Sequence, residues 1–133
     1  MNISTQNNIA KLKALLSAEP AIAFAVLIGS QAAGNATEHS DWDIAIKWQQ
    51  NQADYLDHLS SIETLRQKIA TALNATADAI DLIDIDSARL AMCALICDEG
   101  LVLTEPYALT WLHFLQRTWR ELEDYYWDEL YVA

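Results

Sequence analysis

A chain of 133 residues with 53% hydrophobic and 20% charged residues has one domain's length and enough apolar material for a buried core, which excludes an intrinsically disordered chain. Three glycines and two prolines exclude collagen-like and low-complexity architectures, and two cysteines are too few for a disulfide scaffold. Nineteen acids against eight bases give a formal net charge of −11; that balance disfavours direct binding of nucleic acid and suits a basic protein partner, multivalent cations or plain solubility.

Residues 6–17 place Ile9, Leu12, Leu15 and Leu16 at helical spacing, and Glu19-Pro20 stops that helix because a residue before proline avoids the α region. Residues 21–28, a continuous apolar run ending at Gly29, read as a strand buried on both faces. Gly34-Asn35 marks a loop. From Asp41 to Trp48 the pattern alternates, with Trp42, Ile44 and Ile46 on one face and Asp41, Asp43, Ala45 and Lys47 on the other.

Helical periodicity returns over 54–73, carried by Leu56, Leu59, Ile62, Leu65 and Ile69. Ile80 to Ile85 reads as an inner strand. Asp86 or Ser87 can cap the next helix, which holds Leu90, Ala94 and Cys97 and stops before Gly100. Leu101–Leu103 is a short fourth strand, and residues 107–128 form a long aromatic helix. The expected class is α/β, a small mixed sheet flanked by helices with a long C-terminal helix, in one domain over 1–133.

The chemistry gathers on three short stretches. Gly29-Ser30 follows a buried strand, where bare backbone N–H groups and a hydroxyl suit a phosphate; no Gly-Lys-Ser/Thr follows, so this is not a P-loop. Asp41 and Asp43 stand two apart on a strand and therefore share a face, where a divalent cation relieves their repulsion. Asp81 interrupts the apolar string of residues 79–83 on the inner strand, where a charge needs a partner or a metal. Asp84 is the second choice for a third acid. Taken singly, each stretch also reads as a turn, a pair of solvated acids or a helix cap.

Together, Gly29-Ser30, ten intervening residues and Asp41-Trp42-Asp43 make the pattern GS-x10-D-x-D. This resembles the signature of the polymerase-β-like nucleotidyltransferases. Gly34 and Ser40 stand where small members of that superfamily carry Gly and Ser, residues 80–84 look like the later strand with the third acid, and residues 99–105 look like the closing strand. The resemblance covers about residues 10–105. One departure is Gln31, at a position where many relatives carry Arg. The chain's small size resembles the minimal nucleotidyltransferase (MNT) antitoxins of HEPN/MNT toxin–antitoxin pairs.

That resemblance implies a polymerase-β-like nucleotidyltransferase fold and an antitoxin that transfers AMP from ATP to a tyrosine of a HEPN ribonuclease toxin, silencing it within a hetero-oligomer. It implies Gly29 and Ser30 as the phosphate-binding residues, and Asp41, Asp43 and Asp81 as catalytic acids holding two Mg²⁺ ions. Attack is in line at the α-phosphorus, and the acceptor tyrosine, with an ordinary pKa of about 10, needs activation by a cation or by Asp81. Two other readings remain: a nucleotidyltransferase acting on a small molecule such as an aminoglycoside, and a non-catalytic antitoxin acting by occlusion. The intact site residues weigh against occlusion, and the lack of a substrate domain weighs against a small-molecule acceptor.

Lys47 reads either as a phosphate contact or as a salt bridge at the sheet end. His39 lines the mouth of the site as a bystander, and Cys93 and Cys97 are small packing residues. Residues 107–131 hold eight of the twelve aromatics. Trp111, Leu115, Trp119, Leu122 and Tyr126 share one helical face and read as core, whereas Phe114, Tyr125 and Trp127 lie off it. With an acidic cluster of Glu121, Glu123, Asp124, Asp128 and Glu129, this helix, about 107–130, suits docking onto a basic ribonuclease, with Trp127 and Tyr131 as anchors. No apolar run approaches the roughly 20 residues needed to cross a bilayer, and the first residues lack the order of a signal peptide. No membrane association and a cytoplasmic location are expected.

Overall fold

The computed structural model describes residues 3–37, 39–49 and 54–132, the side chains of 131 and 132 excepted. In chain order these form α1 (Ile3–Ser17), β1 (Ile22–Ile28), α2 (Gly29–Ala33), β2 (Trp42–Trp48), α3 (Tyr55–Leu73), β3 (Ile80–Asp84), α4 (Leu90–Glu99), β4 (Leu101–Thr104) and α5 (Ala108–Val132). Short 3₁₀ turns at Ala77–Ala79 and Ile85–Ser87 flank β3. The strands make one mixed sheet in the order β3-β2-β1-β4, with β1 antiparallel to β2 and β4, and β2 parallel to β3. The parallel pair requires a crossover, which α3 supplies.

Two apolar layers sandwich the sheet. On one side α1 and α3 bring Leu12, Leu16, Leu65 and Ile69 onto Trp42, Ile44, Ile46 and Trp48. On the other, Ile96 of α4 and Phe114 of α5 cover Val26, Ile28 and Ala45. Every residue of β1 is therefore buried, and its continuous apolar run needs no alternation. A register irregularity between Ile22 and Phe24 sends both Ala23 and Phe24 to the α4/α5 side, where Phe24 meets Trp111 edge-on at 5.1 Å. Gly100 lets α4 end hard against the sheet, since a Cβ there would stand 2.3 Å from Val26 Cγ1.

Several expectations change. The strand of Asp81 is not inner: β3 is the sheet edge, paired on one side only, so Asp81 is solvent-exposed. Neither Asp86 nor Ser87 caps α4. Asp84 accepts the Asp86 N–H and caps the 3₁₀ turn instead, and α4 starts after Arg89 with no side-chain cap. Asp54 caps α3 by accepting the Leu56 N–H, yet Leu56 and Leu59 are exposed because the core begins a turn later. On α5, Phe114 belongs to the core and Trp119 and Tyr126 do not. The buried stripe runs Trp111, Phe114, Leu115, Thr118 and Leu122, a rotation of about 45°, less than half the turn between successive residues, from the expected face. Tyr125 and Trp127 are exposed as expected, and the Tyr131 side chain lies outside the described residues. No described helix is long and apolar enough to cross a membrane.

Candidate functional site

The site is built where β1 ends and β2 begins. Ile28 pairs with Asp43 across the antiparallel ladder, and the chain then turns sharply into α2 at Gly29. Gly29 adopts φ +76°, a left-handed conformation that side chains rarely take. A Cβ there would stand 2.6 Å from Asp43 Oδ2. Glycine thus serves twice: it makes the turn, and it leaves room for a carboxylate against the backbone that leads into Ser30.

β2 carries Asp43 as its second residue, with Asp41 exposed just before the strand. In the parallel pair, Asp43 registers with Asp81 of β3. The side chains point alternately along a strand, so both carboxylates lie on the α4/α5 side of the sheet, where Ala45 also points. Burial pushes the Asp43 carboxyl above its ordinary range, and the negative charges of Asp81 and Asp41 push it further in the same direction. Asp41, Asp43 and Asp81 therefore sit within electrostatic reach of one another. Among the described residues, no three His, Cys, Asp or Glu side chains converge into a ready-made metal cage.

The loop before β2 is held by its own hydrogen bonds. The Thr37 N–H donates to Ser40 Oγ at 2.8 Å, and the Ser40 N–H donates to the Thr37 carbonyl at 3.1 Å. Gln31 turns inward from α2, is 5% exposed, and donates from Nε2 to the Ser40 carbonyl at 3.3 Å. The amide of α2 thereby fixes the residue before Asp41. The sequence marks Gln31 only as a departure from Arg; its burial was not legible, because a lone Gln on a five-residue helix has no periodicity to place it. An open, largely polar cavity of about 640 Å³ adjoins this loop and is lined by Asn8, Gln31, His39, Ser40, Asp41 and Asn74. A volume in that range can enclose a small ligand.

The remaining residues separate from this cluster. Asp84, three residues beyond Asp81, pairs in register with Ile46, and its Oδ2 stands 3.6 Å from His58 Nε2. Lys47 makes the salt bridge rather than a free contact: its amine pairs with Asp86 at the far end of β2. His39 is exposed at the cavity mouth. Cys93 and Cys97 are free, half-buried thiols whose pKa burial raises, which keeps them protonated packing groups.

Comparison with known proteins matches this fold. The chain aligns, at 26% identity over 96% of its length and 94% of the other chain, with a crystal structure of a toxin–antitoxin with AMP-PNP, TM-score 0.67. A mutant MntA–HpeT toxin–antitoxin complex aligns at 27% identity over 99% of this chain and 94% of that one, TM-score 0.64. The complex of a tri-AMPylated Shewanella oneidensis HEPN toxin with its MNT antitoxin shares the fold at 23% identity, covering 96% of this chain and 94% of that one, TM-score 0.65. No curated protein matches this sequence. Residues 10–106 match the family described as Polymerase beta, Nucleotidyltransferase, and the chain belongs to that family.

Proposed function

We propose that this chain is an antitoxin nucleotidyltransferase that transfers AMP from ATP to a tyrosine of a HEPN-type ribonuclease toxin and so silences it. The observation that carries this reading is the placement of Asp43 against Gly29 on one side and in register with Asp81 on the other. Similarity to toxin–antitoxin structures, one holding an ATP analogue, supports the nucleotide and the partner. In this reading residues 1–133 act as one nucleotidyltransferase domain in the cytoplasm.

The Gly29 and Ser30 backbone and the Ser30 hydroxyl hold the β- and γ-phosphates. Of the residues assigned here, the cavity before β2 touches Asp41 but not Gly29, Ser30, Asp43 or Asp81. The three acids fit a hard divalent cation: they supply only oxygen donors, and a cation offsets both the burial that chiefly raises Asp43 and the repulsion from Asp81 and Asp41 that adds to it. Magnesium takes one or two carboxylates plus substrate oxygens, so a preformed three-carboxylate cage is not required. Asp41, Asp43 and Asp81 would hold Mg²⁺, which when bound neutralises the triphosphate and stabilises the attacking and leaving oxygens.

Asp81, exposed on the edge strand, is open to a protein acceptor. Its carboxylate takes the phenolic proton as the tyrosine oxygen forms its bond to the α-phosphorus and the α–β bridging bond breaks. Pyrophosphate leaves, and the proton passes from Asp81 to water. No covalent enzyme intermediate is needed, because positioning and charge neutralisation carry the rate. Intact-mass measurement of the HEPN-type protein from the same genome, incubated with this chain, ATP and Mg²⁺, tests the proposal. Added AMP masses are expected. An unmodified protein, or its silencing without nucleotide, overturns the transfer reading and favours occlusion.

A further inference from the structure

Helix α5 has two apolar faces, and the fold uses one. The buried stripe ends at Leu122, and every residue from 123 to 130 is exposed. About 120° around the helix from that stripe runs a second line, Leu109, Leu112, Gln116, Trp119, Glu123, Tyr126 and Leu130, at alternating spacings of three and four. That is the heptad seam of a helix that packs against another helix. All seven are exposed, with Leu109 at 71%, Leu112 at 43%, Trp119 at 55%, Tyr126 at 63% and Leu130 at 72%. Isolated exposed apolar residues are ordinary, but five large ones in heptad register along a 25-residue helix are a surface that another helix covers.

We propose that this seam docks a helix of the HEPN-type toxin, an inference that rests on the partner named above. The charges beside and within the seam define the fit. Arg120 flanks its first half, Glu123 lies within its second half and Glu129 beside that half. The fitting helix has an apolar face, a carboxylate toward Arg120, and lysines or arginines toward Glu123 and Glu129. Glu123 lies inside the seam, so a parallel second copy would set it against itself. Any second copy also brings another net charge of −11 to the contact. The toxin–antitoxin relatives align over 96–99% of this chain, a span that includes most of α5. Trp119 stands at the middle of the seam, and the exposed Trp127 lies beside it.

The test uses the full chain carrying Trp119→Ala, the double change Leu112→Glu with Trp119→Glu, and the charge change Glu123→Lys with Glu129→Lys. The probe is the purified HEPN-type protein from the same genome. Trp119→Ala is expected to weaken binding about thirtyfold, as a central aromatic anchor does, and the double change to abolish it at micromolar concentrations. The charge change is expected to slow association and flatten its salt dependence. ATP binding and melting temperature stay as in the wild type, and transfer shows a raised KM for the protein acceptor with kcat retained. Unchanged affinity in the double variant overturns the seam, as does a wild-type chain that does not bind the probe. Light scattering that shows a wild-type dimer, made monomeric by the double change with affinity for the probe unaltered, assigns the seam to a second copy and overturns the proposal. Wild-type binding without AMP transfer leaves the seam standing and defeats the transfer reading; transfer with an unaltered KM in the double variant does the reverse.

Discussion

Asp43 and Asp81 occupy the same rung of the parallel β2–β3 ladder, and Asp43 is the group that bears the strain of that arrangement. It is half-buried between the Gly29 backbone and the edge strand, whereas Asp81 and Asp41 are exposed. Its carboxyl is raised by burial first and by its two acidic neighbours second. A carboxyl raised in the folded state favours folding fully below its unfolded pKa, and that contribution is lost as pH rises through the folded value. Removing the charge should therefore stabilise the cation-free protein at neutral pH.

Asp43→Asn is accordingly expected to raise the melting temperature at pH 7 in EDTA and to have little effect below pH 4, near the ordinary value of 3.8. Adding Mg²⁺ should raise the melting temperature of the wild type and leave that of the variant nearly unchanged. The same substitution is expected to reduce AMP transfer by orders of magnitude. Thermal scans at pH 4 and pH 7, with and without Mg²⁺, check this. A wild-type advantage at pH 7 in EDTA would show that Asp43 is satisfied without a cation.

The centre of the site was legible in the sequence because Gly29, Asp41 and Asp43 lie close along the chain, and local spacing on a strand fixes a shared face. Asp81 was legible as a carboxylate on a strand but not as an edge residue, since strand order depends on the crossover through α3 and leaves no mark in residues 80–84. The stripe on α5 failed for a related reason. Trp119 and Phe114 are both large aromatics, and tertiary contact rather than pattern separates them: Phe114 packs on Phe24, which the irregularity in β1 turns to that side. Lys47 had two readings with equal pattern support, and Asp86, distant in sequence, settled them.

Gly29→Ala tests the turn. The positive φ is expected to cost about 1–2 kcal/mol of stability. The added Cβ meets a carboxylate oxygen, the free end of a rotatable side chain, so the protein can relieve the contact by turning Asp43 away. Activity should therefore fall much further than stability, with the variant still folded. Circular dichroism with single-turnover transfer at saturating ATP separates the two. A variant that transfers at the wild-type rate would show that Asp43 does not need its place beside Gly29.

Gln31 should behave as a positioning residue. Gln31→Leu keeps the buried volume but removes the donor to the Ser40 carbonyl, at a cost of about 1 kcal/mol. The loop before Asp41 loses its tie to α2, and kcat is expected to fall several-fold while KM for ATP moves less. Gln31→His, which can restore an N–H donor, should recover part of kcat. A Gln31→Leu variant whose only change is a lower melting temperature would reduce Gln31 to packing.

Asp81 and Asp84 offer the sharpest contrast, because they lie three residues apart and do opposite things. Asp81 is exposed and has the Asp43 rung as its environment. Asp84 accepts the Asp86 N–H and faces His58, whose Nδ1 is buried without a hydrogen-bond partner. Asp81→Asn should therefore leave stability near wild type, retain ATP binding, and abolish transfer by removing the group that accepts the phenolic proton. Asp84→Asn keeps an oxygen for the cap but loses the charge facing His58, so it should lower stability by less than about 1 kcal/mol and leave transfer intact. Calorimetry of ATP binding and single-turnover transfer on both proteins distinguish the two roles. Full transfer by Asp81→Asn together with a dead Asp84→Asn would move the proton acceptor three residues down β3, to the opposite end of the strand from Asp43.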